Sequence, residues 1–144
     1  MSQPSLKTTT QIQIAWGEMD AFHHVNNAVY FRYFESARIE FFQRIELIET
    51  LAPMHIIPVV SETSCRYKAP LTFPDTIKVT SSICHLADDH FVMQYDIYSE
   101  KLERITTTGK ATVMLFDTKH KTKAKLPDAI LQRLDQQKPT LGSQ

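Results

Sequence analysis

The chain has 144 residues, and its sixteen Lys and Arg balance its sixteen Asp and Glu, so the formal net charge is zero. That length suits one domain, here taken as 1–144, with a core of its own. The charge balance removes the basic footprint of a nucleic-acid binder. No apolar run approaches the ~20 residues that a membrane span needs. MSQPSLKTTT has one Lys and no apolar stretch, so it does not read as a signal peptide and a cytoplasmic protein is expected. Cys65 and Cys84 form neither a CxxC nor a metal spacing and read as two free thiols in a reducing compartment. With only Gly17, Gly109 and Gly142, there is no glycine-rich phosphate loop.

In chain order, residues 1–8 read as a loose tail, and TTTQIQIAW alternates as a strand with one buried face. From Asn27 to about Leu51, apolar Tyr30, Tyr33, Phe34, Ala37, Phe41, Ile45 and Ile48 recur at spacings of three and four. This predicts one amphipathic helix roughly 35 Å long, capped by Asn26 or Asn27 and ended near Pro53. Four strands follow. IIPVVSETSCRYKAP is rich in β-branched residues, and LTFPD turns the chain. DTIKVTSSICHLA puts Ile77, Val79, Ser81 and Ile83 on one side; FVMQYDIYSE does the same with Phe91, Met93, Tyr95 and Ile97. ADDH and KLER are turns, and ITTTGKATVMLFD is the last strand. In KAKLPDAILQRLDQQ, Pro127 and Asp128 suit a first helical turn, with Ala129, Ile130 and Leu134 apolar, and 136–144 form a second tail. Strands joined by hairpins imply an antiparallel sheet with a long helix on one face: an α+β fold.

The unusual stretch is DAFHHVNN, residues 20–27, which places a carboxylate, two imidazoles and two carboxamides between a strand and a helix. Taken singly, Asp20 is a common turn residue and the Asn pair a common N-cap. Adjacent His residues rarely share one ion, so Asp20, His23 and His24 are not expected to hold a metal.

The longer string WGEMDAFHHVNNAVYFRYFESAR, residues 16–38, resembles the signature of hotdog-fold acyl-CoA thioesterases of the 4-hydroxybenzoyl-CoA thioesterase type. The matching residues are Asp20, His24, Val25, Asn26, Asn27, Tyr30, Tyr33, Glu35, Ala37 and Arg38; YKAPLTFPDTIKV and KAKLPDAILQRL are similar to later segments of the family. The resemblance spans about residues 10–135 and implies a hotdog fold: a five-stranded antiparallel sheet wrapped around one long central helix, with a short C-terminal helix. Where the family often has Gly before HVNN, this chain has His23, one of the few other residue types that visit positive φ.

The resemblance implies thioester hydrolysis without a cofactor or metal. Asp20 would act as nucleophile, through a mixed anhydride, or as general base on water. The backbone N–H of Asn27, seven residues later, would polarise the carbonyl from the helix N-terminus, where amides lack intrahelical partners and the dipole is positive. Losing such a donor costs ~3 kcal/mol in the transition state. His24 would orient Asp20 or pass a proton to the thiolate. Asn26, Tyr30 and Tyr33 would shape the substrate site, with Arg66 and Lys68, and also Lys110, as candidates for rimming the phosphates of coenzyme A. Glu35 is a reserve carboxylate, although an i,i+3 pair with Arg38 is its commoner use. The expected partners are an acyl-CoA and a second copy in a homodimer or homotetramer, because a lone sheet of this kind exposes an edge. An acyl carrier protein substrate, or a protein that binds acyl-CoA without cleaving it, is the alternative.

Overall fold

The computed structural model describes residues 6–135. Alternation builds its sheet. Strands β1 (Lys7–Gln13), β2 (Ile56–Tyr67), β3 (Thr76–Leu86), β4 (His90–Ser99), β5 (Arg104–Asp117) and β6 (Thr122–Ala124) pair antiparallel in the order β1-β3-β4-β5-β2, with β6 also on β5. The apolar faces read from alternation are the buried ones: Ile77, Val79, Ser81 and Ile83 on β3, and Phe91, Met93, Tyr95 and Ile97 on β4. A sixth strand corrects the expected five: β6 takes the edge of β5 beyond Met114, where the pairing with β4 ends. The first strand stops at Gln13 rather than Trp16, and Trp16–Glu18 forms a 3-10 turn. Lys7 and Thr8, read as tail, lie in β1; the rest of the expected N-terminal tail except Leu6, and all of 136–144, fall outside the described residues.

The single helix expected from Asn27 to Leu51 is instead two, α1 (Asn27–Arg44, 18 residues) and α2 (Leu47–Leu51). Ile45 and Leu47 are both buried, yet residues two apart on a helix face opposite sides. The chain resolves the conflict by breaking: Glu46 takes a left-handed conformation at φ 52°, ψ 43°, which turns Leu47 and Leu51 inward together and leaves the expected core residue Ile48 50% exposed. Arg133, from the C-terminal helix α3 (Asp128–Asp135), locks the break by donating to the Ile45 carbonyl at 2.8 Å and to Thr50 Oγ1 at 2.7 Å. On α3, Ile130 and Leu134 are buried, whereas Ala129, read as apolar face, is exposed. A non-glycine residue in left-handed conformation costs about 1–2 kcal/mol, and glycine's extra chain entropy cancels part of any relief. Glu46→Gly is therefore expected to stabilise by about 0.5 kcal/mol in urea unfolding; a loss would mean that the Glu46 side chain itself holds the break.

Helix α1 lies on the buried face of the sheet. Tyr30, Tyr33, Phe34, Ala37, Phe41 and Phe42 are buried, and the Phe34 ring stacks on Tyr95 with centroids 4.7 Å apart. Gly109 on β5 makes this approach possible, since a Cβ there would overlap the Phe34 ring.

Candidate active site

Residues 14–26 fold back on themselves to deliver the polar turn to the start of α1. Ile14 N–H, at the end of β1, bonds the Asp75 carbonyl at 3.0 Å. After the 3-10 turn, Met19 and Val25 pair antiparallel, flanked by Asn26 N–H to Glu18 O at 3.0 Å and Asp20 N–H to His24 O at 2.8 Å. His23 N–H closes the loop on Asp20 O at 3.0 Å, and His23 stands at φ 64°. The position where the family often has glycine thus keeps glycine's conformation. Val25 anchors the structure: its side chain is buried, and its N–H donates to Leu71 O at 2.9 Å.

Within this frame, Asp20 Oδ1 accepts the Phe22 N–H at 2.9 Å. Asp20 is half-buried, and its carboxylate takes no other hydrogen bond among the described residues. Asn26 is the N-cap of α1: its Oδ1 accepts Ala28 N–H at 2.9 Å and its carbonyl accepts Val29 N–H at 2.9 Å. The Asn27 N–H is left over. Among the described residues it has no acceptor, and it faces off the positive end of an 18-residue helix. The His24 ring is exposed and makes no hydrogen bond to Asp20.

Tyr30 and Tyr33 are buried, and their hydroxyls are engaged by protein. Leu71 N–H donates to Tyr30 Oη at 3.2 Å, and Tyr33 Oη donates to Glu18 Oε1 at 2.8 Å. Burial raises both phenol pKa values; for Tyr33 the Glu18 carboxylate adds to the rise. Glu18 was not singled out in the sequence, yet its carboxylate holds both Ala15 N–H and Tyr33 while its carbonyl holds Asn26. Its signal, a Glu three residues past a cap, was muted because the cap is Ala15 rather than Ser or Thr.

Other expected residues lie apart from the turn. Glu35 is exposed two turns along α1, and no ion pair joins it to Arg38, which donates to Tyr95 Oη at 3.1 Å instead. On β5, Gly109 and Ala111 face α1, so Lys110 faces away. Ser64 and Arg66, opposite Lys110 and Thr108, share that outer face. Arg66 and Lys110 line an open groove of about 430 Å³ there with Ser64, Gln94 and Thr108. Lys68 lies just past β2, with its N–H on Thr106 O at 2.9 Å. Within one chain, Arg66 and Lys110 therefore lie on the face of the sheet turned away from α1.

Comparison with known proteins identifies the family. The family model described as the thioesterase-like superfamily matches residues 14–134. The long-chain acyl-CoA thioesterase FadM of Escherichia coli (strain K12) is 24% identical over 127 residues, covering 88% of this chain and 96% of that protein. A putative thioesterase from Pseudomonas aeruginosa superposes with a TM-score of 0.77 at 25% identity, covering 87% of this chain and 95% of that one. The DHNA-CoA thioesterase of Staphylococcus aureus superposes with a TM-score of 0.76 at 21% identity, covering 88% and 82%. The antiparallel sheet, the helix packed on it and the family match over nearly the whole chain lead to one conclusion: this chain belongs to the thioesterase-like superfamily and is a hotdog-fold thioester hydrolase.

Proposed function

We propose that this chain cleaves acyl-CoA thioesters to the free acid and coenzyme A, with Asp20 as the reacting carboxylate and the Asn27 N–H as the donor to the thioester oxygen. The observation that carries the reading is the pairing of an open first-turn amide with a carboxylate set in the turn just ahead of it. A thioester carbonyl seated between them gains negative charge on oxygen as the carbonyl carbon is attacked, and a fixed N–H at a helix N-terminus stabilises that charge at no reorganisation cost. As a nucleophile, Asp20 forms an acyl anhydride and expels the thiolate, and water then releases the acid. As a general base, it takes a proton from the attacking water. The products are the same. His24 is assigned the proton transfer to the departing thiolate, and among the described residues its exposed ring has no hydrogen bond that would hold it elsewhere.

Asn26 fixes the donor by capping the helix, and Tyr30 and Tyr33 shape the floor beneath it through hydroxyls already bonded to protein. A second copy completes the site in this reading. Strand β2 is a 12-residue edge with Ile57, Val59 and Val60 exposed, a long apolar edge of the kind that pairs with another chain. A homodimer, or a homotetramer built from two, would let Arg66 and Lys68 of one chain meet the phosphates of a ligand held at the turn of the other. The name of FadM favours a long acyl chain. A cytoplasmic location fits this substrate.

The test is thiol release from acyl-CoAs running from acetyl to palmitoyl, with benzoyl and phenylacetyl esters alongside. Release that rises with chain length is expected. No release from any of them, with release from an acyl carrier protein thioester, would move the carrier assignment; no release from either would overturn the proposal.

A further inference from the structure

The first turn of α1 receives one bond that helix geometry does not require. Tyr67, the last residue of β2, donates its hydroxyl to the Asn27 carbonyl at 3.1 Å. The orphan groups at the start of a helix are N–H groups, whereas the carbonyls there are already used by residues four further on. Asn27 O belongs by that pattern to Phe31 N–H, so the tyrosine adds a second donor to a carbonyl that had one. The usual reason for such a contact, a buried acceptor without a partner, is absent.

The remaining contacts of Tyr67 show what the bond accomplishes. Its ring meets Tyr30 edge-on, with centroids 4.9 Å apart and planes at 89°. Tyr30 in turn holds Leu71 N–H, and Leu71 O holds Val25 N–H in the polar turn. The start of α1 is therefore tied on one side to Glu18 and Leu71 through Asn26 and Val25, and on the other side to the sheet through Tyr67. Burial, then the neighbouring Cys65 thiol, push the Tyr67 phenol up to about 12, so the hydroxyl remains a donor throughout the neutral range.

We propose that Tyr67 is a positioning residue for thioester cleavage: its hydroxyl, bonded to the Asn27 carbonyl, fixes the first turn of α1 so that the Asn27 N–H stays aimed at the reacting oxygen. The inference rests on the assignment of that N–H as the carbonyl donor. A donor that wanders by a fraction of an ångström stabilises the transition state less while binding of the ground state is almost untouched.

The experiment compares wild type, Tyr67→Phe and Asp20→Asn as purified full-length chains, using the acyl-CoA that wild type cleaves fastest. Tyr67→Phe should lower kcat about tenfold with KM within about twofold. Its melting temperature should hold within a few degrees, because Tyr67 is 42% exposed. Amide exchange at Ala28 and Phe31, whose N–H groups are bonded in that first turn, should quicken. Wild-type kcat in Tyr67→Phe, with or without a lower melting temperature, would make the bond merely structural and overturn the inference. So would a KM that rises in proportion to the loss, which would mark a substrate contact instead. If Asp20→Asn is dead while Tyr67→Phe is wild type, only this inference fails; if Asp20→Asn turns over normally, the underlying reading fails and takes this one with it.

Discussion

Asp20→Asn is expected to lower kcat by about 10²–10⁴ while leaving substrate binding and folding nearly unchanged. The substitution keeps the size of the side chain and its Oδ1 acceptor, so the bond from Phe22 N–H survives and with it the turn. What is lost is the negative charge, and with it the capacity to attack the carbonyl carbon or to take a proton from water. Asn26, which caps the helix, and the open Asn27 N–H are untouched, so a residual rate from the carbonyl donor should remain. The check is thiol release for kcat and calorimetric titration of a non-hydrolysable acyl-CoA thioether for binding. A variant that binds as wild type and turns over at the wild-type rate would remove Asp20 from the chemistry. Glu35, exposed two turns along α1, would then be the next carboxylate to replace.

The largest expected change in stability away from the turn comes from a single carbon. Gly109→Ala should destabilise the chain by about 1–3 kcal/mol, a drop of roughly 5–10 °C in melting temperature. The added Cβ would strike the Phe34 ring and lie 3.0 Å from the Ser64 carbonyl oxygen. Phe34 cannot swing clear, because its ring is buried, stacked on Tyr95 at 12° and met edge-on by Phe31. Relief requires α1 to rise from the sheet, which would displace the helix N-terminus and lower activity even in the folded fraction. Gly17→Ala is the control: nothing lies within 4 Å of a Cβ there, and a change within about 0.5 kcal/mol is expected. Pairing Gly109→Ala with Phe34→Leu should recover part of the loss, since the two substitutions act on the same space. Additive losses in the double variant would place the strain elsewhere.

How much of this was legible in the sequence depended on how far each element relies on its neighbours. Strands β3 and β4 could be read residue by residue because alternation is set by the pleat alone, and every residue placed on their inner faces is buried. The break at Glu46 could not. It arises because Ile45 and Leu47 both have to reach the core and because Arg133, 88 residues from Ile45, is there to donate to the Ile45 carbonyl at the helix end. No local pattern contains that information. Strand β6 is three residues long and carries no alternation to detect. At the turn, the residue types announced chemistry, but the support came from Glu18 and Tyr67, each known only once the chain brings positions 15 residues and 40 residues apart together. Aromatic residues at helical spacing fit equally well as core or as pocket wall; burial and hydroxyl partners place Tyr30 and Tyr33 in the core of the single chain.

The strand order β1-β3-β4-β5-β2 has a kinetic consequence. Strands β3, β4 and β5 follow one another in sequence and are joined by tight turns, so their pairing closes only short loops. Strands β1 and β2, neighbours in sequence apart from the helices between them, lie on opposite edges of the sheet, and each finds its partner only after a long excursion of the chain. Loop-closure entropy makes such pairings late events in folding and early ones in local opening. The turn that carries Asp20 lies between β1 and α1, on the part of the molecule that assembles last. Asp20 and the Asn27 amide would then come into register only when folding is nearly complete, so partly folded chains would hold a finished three-strand meander and no working site.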